Sequence, residues 1–345
     1  MQKSRTAVIV LNFNGSKLLA EYLPSVIKNS PEAEVLVADN NSTDESLEFL
    51  RKFFPQVSIL TLVKNFGFTG GYNIALKKVQ ADFYVLLNSD VEVTPGWLNP
   101  MIDLAVSDPG IAAIQPKILS FKDKSKFEYA GAAGGLMDRF GYPFCRGRLF
   151  SELEADEGQY NEISEIFWAT GACLFIRSSD FHAVGGFDDS FFAHMEEIDL
   201  CWRLKNKGRK IYYMPHSTVY HLGGGTLKKM SPKKTFLNFR NNLLTFTKNY
   251  PHNNLLFILF LRLLLDGIAG IKFFVEGHFQ HTFSVIRAHY SFFFLLPKYL
   301  KIRASLKKDP RYQPSKIGMY KKNIVFDYFL KRKRNFRQLS KNDFY

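Results

Sequence analysis

The sequence predicts an α/β chain on a doubly wound, mainly parallel sheet, followed by a C-terminal apolar helical, membrane-associating extension. Three observations carry that expectation. Short apolar runs alternate with stretches of helical spacing through the first 120 residues. Four of those runs end in a cluster of polar residues. The second half turns aromatic and apolar, and then strongly basic.

The elements follow from periodicity. Residues 6–11 are an apolar run of strand length. Residues 16–29 place Leu18, Leu19, Tyr22, Leu23, Val26 and Ile27 at helical spacing, and 35–38 read as a second strand. A helix is expected over 43–53, with Ser42 as its cap and Glu45 three residues on, a pairing that satisfies two free backbone N–H groups. Residues 57–62, 83–87 and 111–114 read as strands, and 70–79 and 97–106 as helices. From 121 to 163 the pattern loosens, with Gly131, Gly134, Gly135, Gly141 and Gly147 among aromatics, and predicts hairpins and loops, in part a mobile flap. Regular structure resumes as a strand over 167–177, helices over 179–184 and 196–207, and strand runs at 210–214 and 218–221. Residues 236–294 read as helical and very apolar.

Charge is unevenly placed. Of a formal +14, residues 298–345 hold 15 Lys and Arg against 3 Asp, so the first 297 residues are nearly neutral. A near-neutral body argues against nucleic acid as its partner. Cys145, Cys173 and Cys201 are widely spaced and lack paired metal-ligand spacing, so reduced thiols in a cytosolic setting are expected. The first apolar run is too short for a signal-peptide core and no small-residue cleavage site follows it, so export is not expected.

Open α/β sheets bind ligands beyond the carboxyl ends of their strands. Here the strands end in Asn12-Phe13-Asn14-Gly15, in Asp39-Asn40-Asn41-Ser42-Thr43-Asp44, in a segment from Lys64 to Asn73, and in Asn88-Ser89-Asp90. Any one is also an ordinary polar turn; four at the same end of one sheet make a site. Asp90 can offer a hard oxygen to a divalent cation, and such a cation can hold a diphosphate. Gly70-Gly71 is expected to open a helix, where bare backbone and free N–H groups suit a phosphate. Neither a dinucleotide fingerprint nor P-loop spacing occurs.

On these residues the chain resembles the family 2 glycosyltransferases with the GT-A fold, most closely their bacterial rhamnosyltransferase-like branch. The resemblance rests on Val8 to Gly15, Val37 to Asp44, Asn65 to Asn73 and Leu86 to Asp90, then Thr170 to Leu174 and Gly186-Phe187-Asp188 through Glu196-Glu197-Ile198-Asp199-Leu200. It implies a nucleoside-diphosphate sugar donor (a UDP- or dTDP-sugar) and transfer with inversion at the anomeric carbon. It assigns Asp39 to the N3–H of a uracil or thymine, with a turn onto Asn41 as the structural alternative. Asn12, Asn14, Asn41, Asn65, Gly70, Gly71, Asn73 and Asn88 go to the donor pocket. Asp90 becomes the ligand of Mg²⁺ or Mn²⁺, and Tyr220-His221-Leu222-Gly223-Gly224-Gly225-Thr226 resembles a later motif whose histidine, His221, joins the metal.

The general base belongs to a Glu-Asp pair in the family and to Glu196-Glu197 here, a departure that leaves open which carboxylate serves. Trp168, Gly171 and Asp199 fall on the acceptor side. An exposed bridge from Asp199 to Arg203 is the alternative for Asp199, and His194 fits core or site equally. The implied organisation is a transferase domain over 1–235, divided at 120/121 into nucleotide-binding and acceptor halves, an apolar helical segment over 236–297, and a basic tail over 298–345.

Residues 255–274 are nearly continuously apolar, yet Arg262, Asp266 and Lys272 interrupt them. Arg262 and Asp266, four apart, can pair on one face. The uncharged runs fall short of the roughly 20 residues a spanning helix needs. With the aromatic cluster at 290–296 and the basic tail, they predict an in-plane anchor on an anionic membrane surface, peripheral on the cytoplasmic face of the inner membrane. That position suits a lipid-linked or glycan acceptor in cell-surface glycan synthesis. An oligomer interface with a solvated tail is the alternative. Two rival functions remain: a nucleotidyltransferase, which would want a basic Gly-rich loop where Asn12-Phe13-Asn14-Gly15 stands, and a catalytically degenerate nucleotide-sugar-binding or membrane scaffold.

Overall fold

The computed structural model describes residues 4–223 and 231–345. The first half alternates as expected: β1 (Thr6–Asn12), α1 (Ser16–Asn29), β2 (Glu34–Asp39), α2 (Ser46–Phe53), β3 (Ser58–Thr61), α3 (Gly67–Leu76), β4 (Phe83–Asn88), β5 (Val91–Val93), α4 (Asn99–Ser107) and β6 (Ile111–Ser120). Short strands follow at β7 (Gly135–Asp138), β8 (Pro143–Cys145), β9 (Arg148–Leu149), β10 (Glu152–Leu153) and β11 (Ser164–Glu165). Next come β12 (Cys173–Arg177), α5 (Ser178–Ala183), α6 (Glu196–Lys205) and β13 (Lys210–His221). The C-terminal part holds α7 (Pro232–Asn249), α8 (Leu255–Val275), α9 (Phe279–Lys307), β14 (Met319–Tyr320) and α10 (Ile324–Phe329).

The main sheet runs β11-β13-β6-β12-β4-β1-β2-β3, with β5 added to the end of β13. Pairs β4-β1-β2-β3 and β6-β13 are parallel, whereas β12 lies antiparallel to both β4 and β6. The expectation of a mainly parallel sheet is thus corrected to a mixed one. Strand β12 is entered from a loop rather than a helical crossover, so nothing forces it parallel. The central strands β1 and β4 are buried on both faces, which is why they read as continuous apolar runs. The two predicted runs at 210–214 and 218–221 are one strand, and the register shift between Met214 and Thr218 absorbs Pro215.

Other expectations need adjustment. Helix α2 begins at Ser46, and no Ser42–Glu45 capping box forms. The Ser42 hydroxyl instead accepts from the Asn14 backbone N–H at 2.9 Å, while Asp44 receives the N–H groups of Ser16 and Ser46. The strand expected over 167–177 is confined to Cys173–Arg177. The loosely patterned segment forms hairpins of a second, five-stranded sheet, β10-β9-β8-β7-β14. Its last strand comes from the basic C-terminal region, which folds back instead of trailing as a tail. The sequence boundaries at 235/236 and 297/298 fall inside α7 and α9.

Buried charge explains the fold-back. The Asp138 carboxylate accepts from the backbone N–H groups of Phe140, Tyr142 and Ile324, joining the β7–β8 turn to α10. Burial raises its pKa to about 6. Arg262 and Asp266 do not pair with each other. Arg262 bonds the Phe140 carbonyl and the Asn242 side chain, and Asp266 meets the Tyr142 hydroxyl at 3.3 Å. Both therefore fasten α8 to the body. Replacing Asp138 by Ala orphans three buried N–H groups at about 1 kcal/mol each. Urea denaturation should show a loss of roughly 3 kcal/mol, with faster proteolysis near residue 322.

Candidate active site

Two strand pairings bring the first polar elements together. Strand β5 pairs antiparallel with the end of β13, His221 opposite Val91. This sets His221 Nε2 3.1 Å from Asp90 Oδ1, both side chains buried. The second imidazole nitrogen lies 3.1 Å from Glu128 Oε2. Burial works against a charged imidazole, yet hydrogen bonds and charge from Asp90 and Glu128 raise its pKa to about 10. Glu128 went unseen in the sequence because it sits in the Gly-rich segment with no periodic neighbour. Gly224, Gly225 and Thr226 of the histidine motif lie outside the described residues.

The strand ends are cross-tied. Asp39 is fully buried, with Oδ1 accepting from Asn12 Nδ2 at 3.0 Å and Oδ2 from the Ser42 N–H at 3.0 Å. Each oxygen keeps a second acceptor position. Asn14 sits at φ 51° and Asn41 at φ 64°, and the Asn14 side chain caps Thr43 N. Asn40 bridges β2 to the Asn65–Gly67 turn, donating to Asn65 Oδ1 and the Gly67 carbonyl. Ser89 approaches Gly15, which brings the Asn88-Ser89-Asp90 cluster against the end of β1.

Three donor-pocket expectations change. Helix α3 starts at Gly67, so Gly70 and Gly71 lie within its first turns and are buried. Their missing side chains let the helix close on Phe66 and Leu11, where a Cβ would come within 2.9 Å. The leading N–H groups of Phe68 and Thr69 donate to the Phe192 carbonyl, so these two are engaged within the protein. Asn73 is a strut: its side chain holds Phe187 N, Phe187 O and Asp189 Oδ1.

The carboxylate pair enters from the far side. Glu196 and Glu197 begin α6, after a loop with three non-glycine residues at positive φ: Phe192, His194 and Met195. Phe192 (φ 65°, ψ −53°) centres a γ-turn of the rare, strained hand, closed by Ala193 N–H to Phe191 O at 2.7 Å. Asn241 from α7 holds that loop by donating to the carbonyls of Phe191, Ala193 and His194. Both glutamates keep one buried oxygen without a hydrogen-bond partner. Burial raises the Glu197 pKa to about 7, against opposing backbone N–H groups that include Gly171. Burial and the neighbouring Glu197 charge push Glu196 well above the usual range. Two carboxyls this close titrate as a pair, and the pair takes up its first charge only above the usual carboxylate range.

Gly171 packs beside Glu197, and Ala172 accepts from Asn88 N at 3.0 Å, which links the carboxylates to the end of β4. The other acceptor-side expectations do not hold. Trp168 is buried and donates to the Leu136 carbonyl under Gly135. Asp199 is fully buried, bound by Arg203, Lys248 and Asn249, so its bridge to Arg203 is structural and not exposed. His194 is half-buried, and burial together with Lys234 lowers its pKa to about 4.

A family model described as "Glycosyl transferase family 2" matches residues 7–182, half of the chain. The chain belongs to glycosyltransferase family 2. Among curated relatives it is 27% identical over 233 residues to an N-acetylglucosaminyl-diphospho-decaprenol L-rhamnosyltransferase of Mycobacterium tuberculosis, covering 62% of this chain and 75% of that one. It is 24% identical over 225 residues to the rhamnosyltransferase WbbL of Escherichia coli K12, covering 62% and 82%. Both relatives carry the name of the branch the motifs resemble. A likeness in fold alone extends to GalNAc-T7 solved with UDP, GalNAc and Mn²⁺, at TM-score 0.55 and 18% identity, over 72% of this chain and 48% of that one. The mannosyltransferase PcManGT of Pyrobaculum calidifontis, solved with GDP-Man and Mn²⁺, aligns at TM-score 0.50 and 13% identity, over 89% and 86%.

Within this glycosyltransferase, Asn241 acts as a positioning residue. Replacing it by Leu removes one amide group whose two N–H donors are shared among three carbonyls, about 1 kcal/mol per donor. Steady-state kinetics should show kcat reduced roughly thirtyfold, with nucleotide affinity, measured calorimetrically, unchanged.

Proposed function

We propose that the chain is an inverting glycosyltransferase that moves a sugar, rhamnose first among those to test, from a UDP- or dTDP-sugar to a lipid-linked glycan acceptor of cell-surface polysaccharide synthesis. The observation that carries this reading is the Glu196–Glu197 pair, Glu196 buried and Glu197 half-buried, each with one unpartnered buried oxygen, beside Gly171 and the end of β4. The rhamnosyltransferase names of the two relatives support the sugar and the lipid diphosphate acceptor.

Glu197 accepts the proton of the acceptor hydroxyl as that oxygen bonds to the anomeric carbon. The bond from that carbon to the diphosphate breaks, its electron pair leaving with the nucleoside diphosphate. One displacement inverts the centre. Glu196, raised by burial and by the charge beside it, holds a proton more readily than an ordinary carboxylate and can donate it to an acceptor oxygen. Asp39 retains acceptor positions for a base N–H.

A divalent cation fits here by replacing the proton that His221 Nε2 shares with Asp90: carboxylate and imidazole converge, and Glu128 orients the second ring nitrogen. Imidazole in the set favours Mn²⁺ over Mg²⁺. Among the described residues no group of three or more His, Cys, Asp or Glu is arranged to hold a metal, so the remaining ligands would be diphosphate oxygens and water. Bound there, the cation would supply Lewis-acid stabilisation to the departing diphosphate.

Assays with UDP-, dTDP- and GDP-sugars test the reading; nucleotide binding with no turnover from any donor would instead indicate a scaffold. Glu197→Gln should lower kcat by about 10²–10⁴ without weakening donor binding, whereas Glu196→Gln should keep most of the rate. Because the base works only when ionised, the wild-type rate should climb with pH and level off above an apparent pKa of about 7, the value burial gives Glu197. Chelation should abolish transfer and Mn²⁺ restore it, except in Asp90→Ala.

A further inference from the structure

Helix α8 is amphipathic the wrong way round for water. Its inward face carries the charged residues Arg262 and Asp266, both buried. Its outward face carries Leu256, Phe260, Leu264, Ile268 and Phe274, each more than half exposed. These positions lie within one third of the helix circumference. Helix α9 packs against α8 and continues the surface with Phe283, Tyr290, Phe293 and Phe294, the last 85% exposed. Between the helices, Gly267 and Gly270 leave a groove of about 330 Å³, walled by Ile271, Phe274 and Ile286. Contiguous exposed apolar surface on this scale marks an interaction site.

Charge decides what covers it. Helix α9 contains five Lys and Arg and no Asp or Glu. Arg287, Lys298 and Lys301 are exposed on the same side as Phe283 and Phe294 and have no acidic partner among the described residues. The exposed acid nearest α8 is Glu276, the residue that caps its C-terminal end, already beside Lys272. A second copy would bring like charges together, whereas an anionic lipid surface complements them. Among the described residues no helix is long and apolar enough to cross a membrane.

We propose that the outer faces of α8 and α9 seat the protein in the plane of an anionic bilayer, the apolar side chains entering the acyl region and the basic edge meeting headgroup phosphates. This goes beyond the sugar-transfer reading and does not depend on it. The groove gives one acyl chain a place between the helices.

A Phe260→Trp variant reports directly, because Trp97, Trp168 and Trp202 are all buried. Vesicles of phosphatidylcholine with phosphatidylglycerol should shift its emission to the blue and allow quenching by brominated acyl chains, with little response to phosphatidylcholine alone. Adding Lys298→Ser and Lys301→Ser should weaken partitioning roughly thirtyfold, and high salt should weaken it too. Circular dichroism checks that each variant is folded. No shift with either vesicle overturns the proposal, as does equal binding to both. A blue shift that appears without vesicles and follows a dimer in sedimentation also overturns it, in favour of a second copy.

Discussion

The site depends on the loop from 191 to 195, which carries a strained γ-turn and two further left-handed residues immediately before α6. A non-glycine residue at positive φ costs on the order of 1 kcal/mol or more, so the loop persists only because its surroundings hold it. The Asn241 amide ties three of its carbonyls to α7. The Phe192 carbonyl receives the first N–H groups of α3. Gly67, at φ 72°, leaves room for the Phe192 ring, which a Cβ would meet at 2.6 Å. The result sets two adjacent carboxyls side by side at the start of α6, Glu196 buried and Glu197 half-buried. It also joins the donor half to the base: α3 cannot shift without moving the loop that positions Glu197.

Much of the fold was legible because its signals are local. Strands buried on both faces read as apolar runs, and the polar clusters at their ends read as a site because parallel neighbours bring their carboxyl ends to one edge. What the sequence could not show lies in long-range pairings. The Asp90–His221 contact depends on β5 joining β13 across 130 intervening positions. Glu128 becomes visible only once His221 is in place. Gly70-Gly71 shows how one residue type misleads: glycine permits both anion binding and close packing, and only the neighbouring Phe66 and Leu11 decide between them. Trp168 and Asp199 misled differently, since adjacency to a motif in sequence says nothing about which face a side chain takes. Asp199 faces Arg203, Lys248 and Asn249, and so belongs to the scaffold under the base.

That scaffold ties the C-terminal helices to the catalytic centre. Lys248 of α7 lies between Asp188 and Asp199, at 2.7 and 2.9 Å. Burial opposes the Asp188 charge, but Lys248 holds its carboxyl well below the usual range. Tyr299 of α9 donates to Asp188 and meets the Ser190 hydroxyl, while Arg240 donates to the Ser190 carbonyl. The residues before the base are thus gripped by α7 and α9 together.

The family match ends at residue 182, before Glu196, Glu197 and the helices α7 and α9 that hold the loop ahead of them. The polar strand ends of β1, β2 and β4 therefore sit within the matched portion, and Glu196 and Glu197 follow it, next to α7 and α9. Helix α8 turns Arg262 and Asp266 inward and leaves Phe260 outward, the reverse of a helix built to face water. Because α9 carries both Tyr299, bonded to the loop before Glu196, and Phe294, on that open side, the surface and the loop share one helix. A bilayer on the first would fix the height at which the second meets a lipid-borne hydroxyl, which turns acceptor choice into a matter of distance as well as of pocket shape.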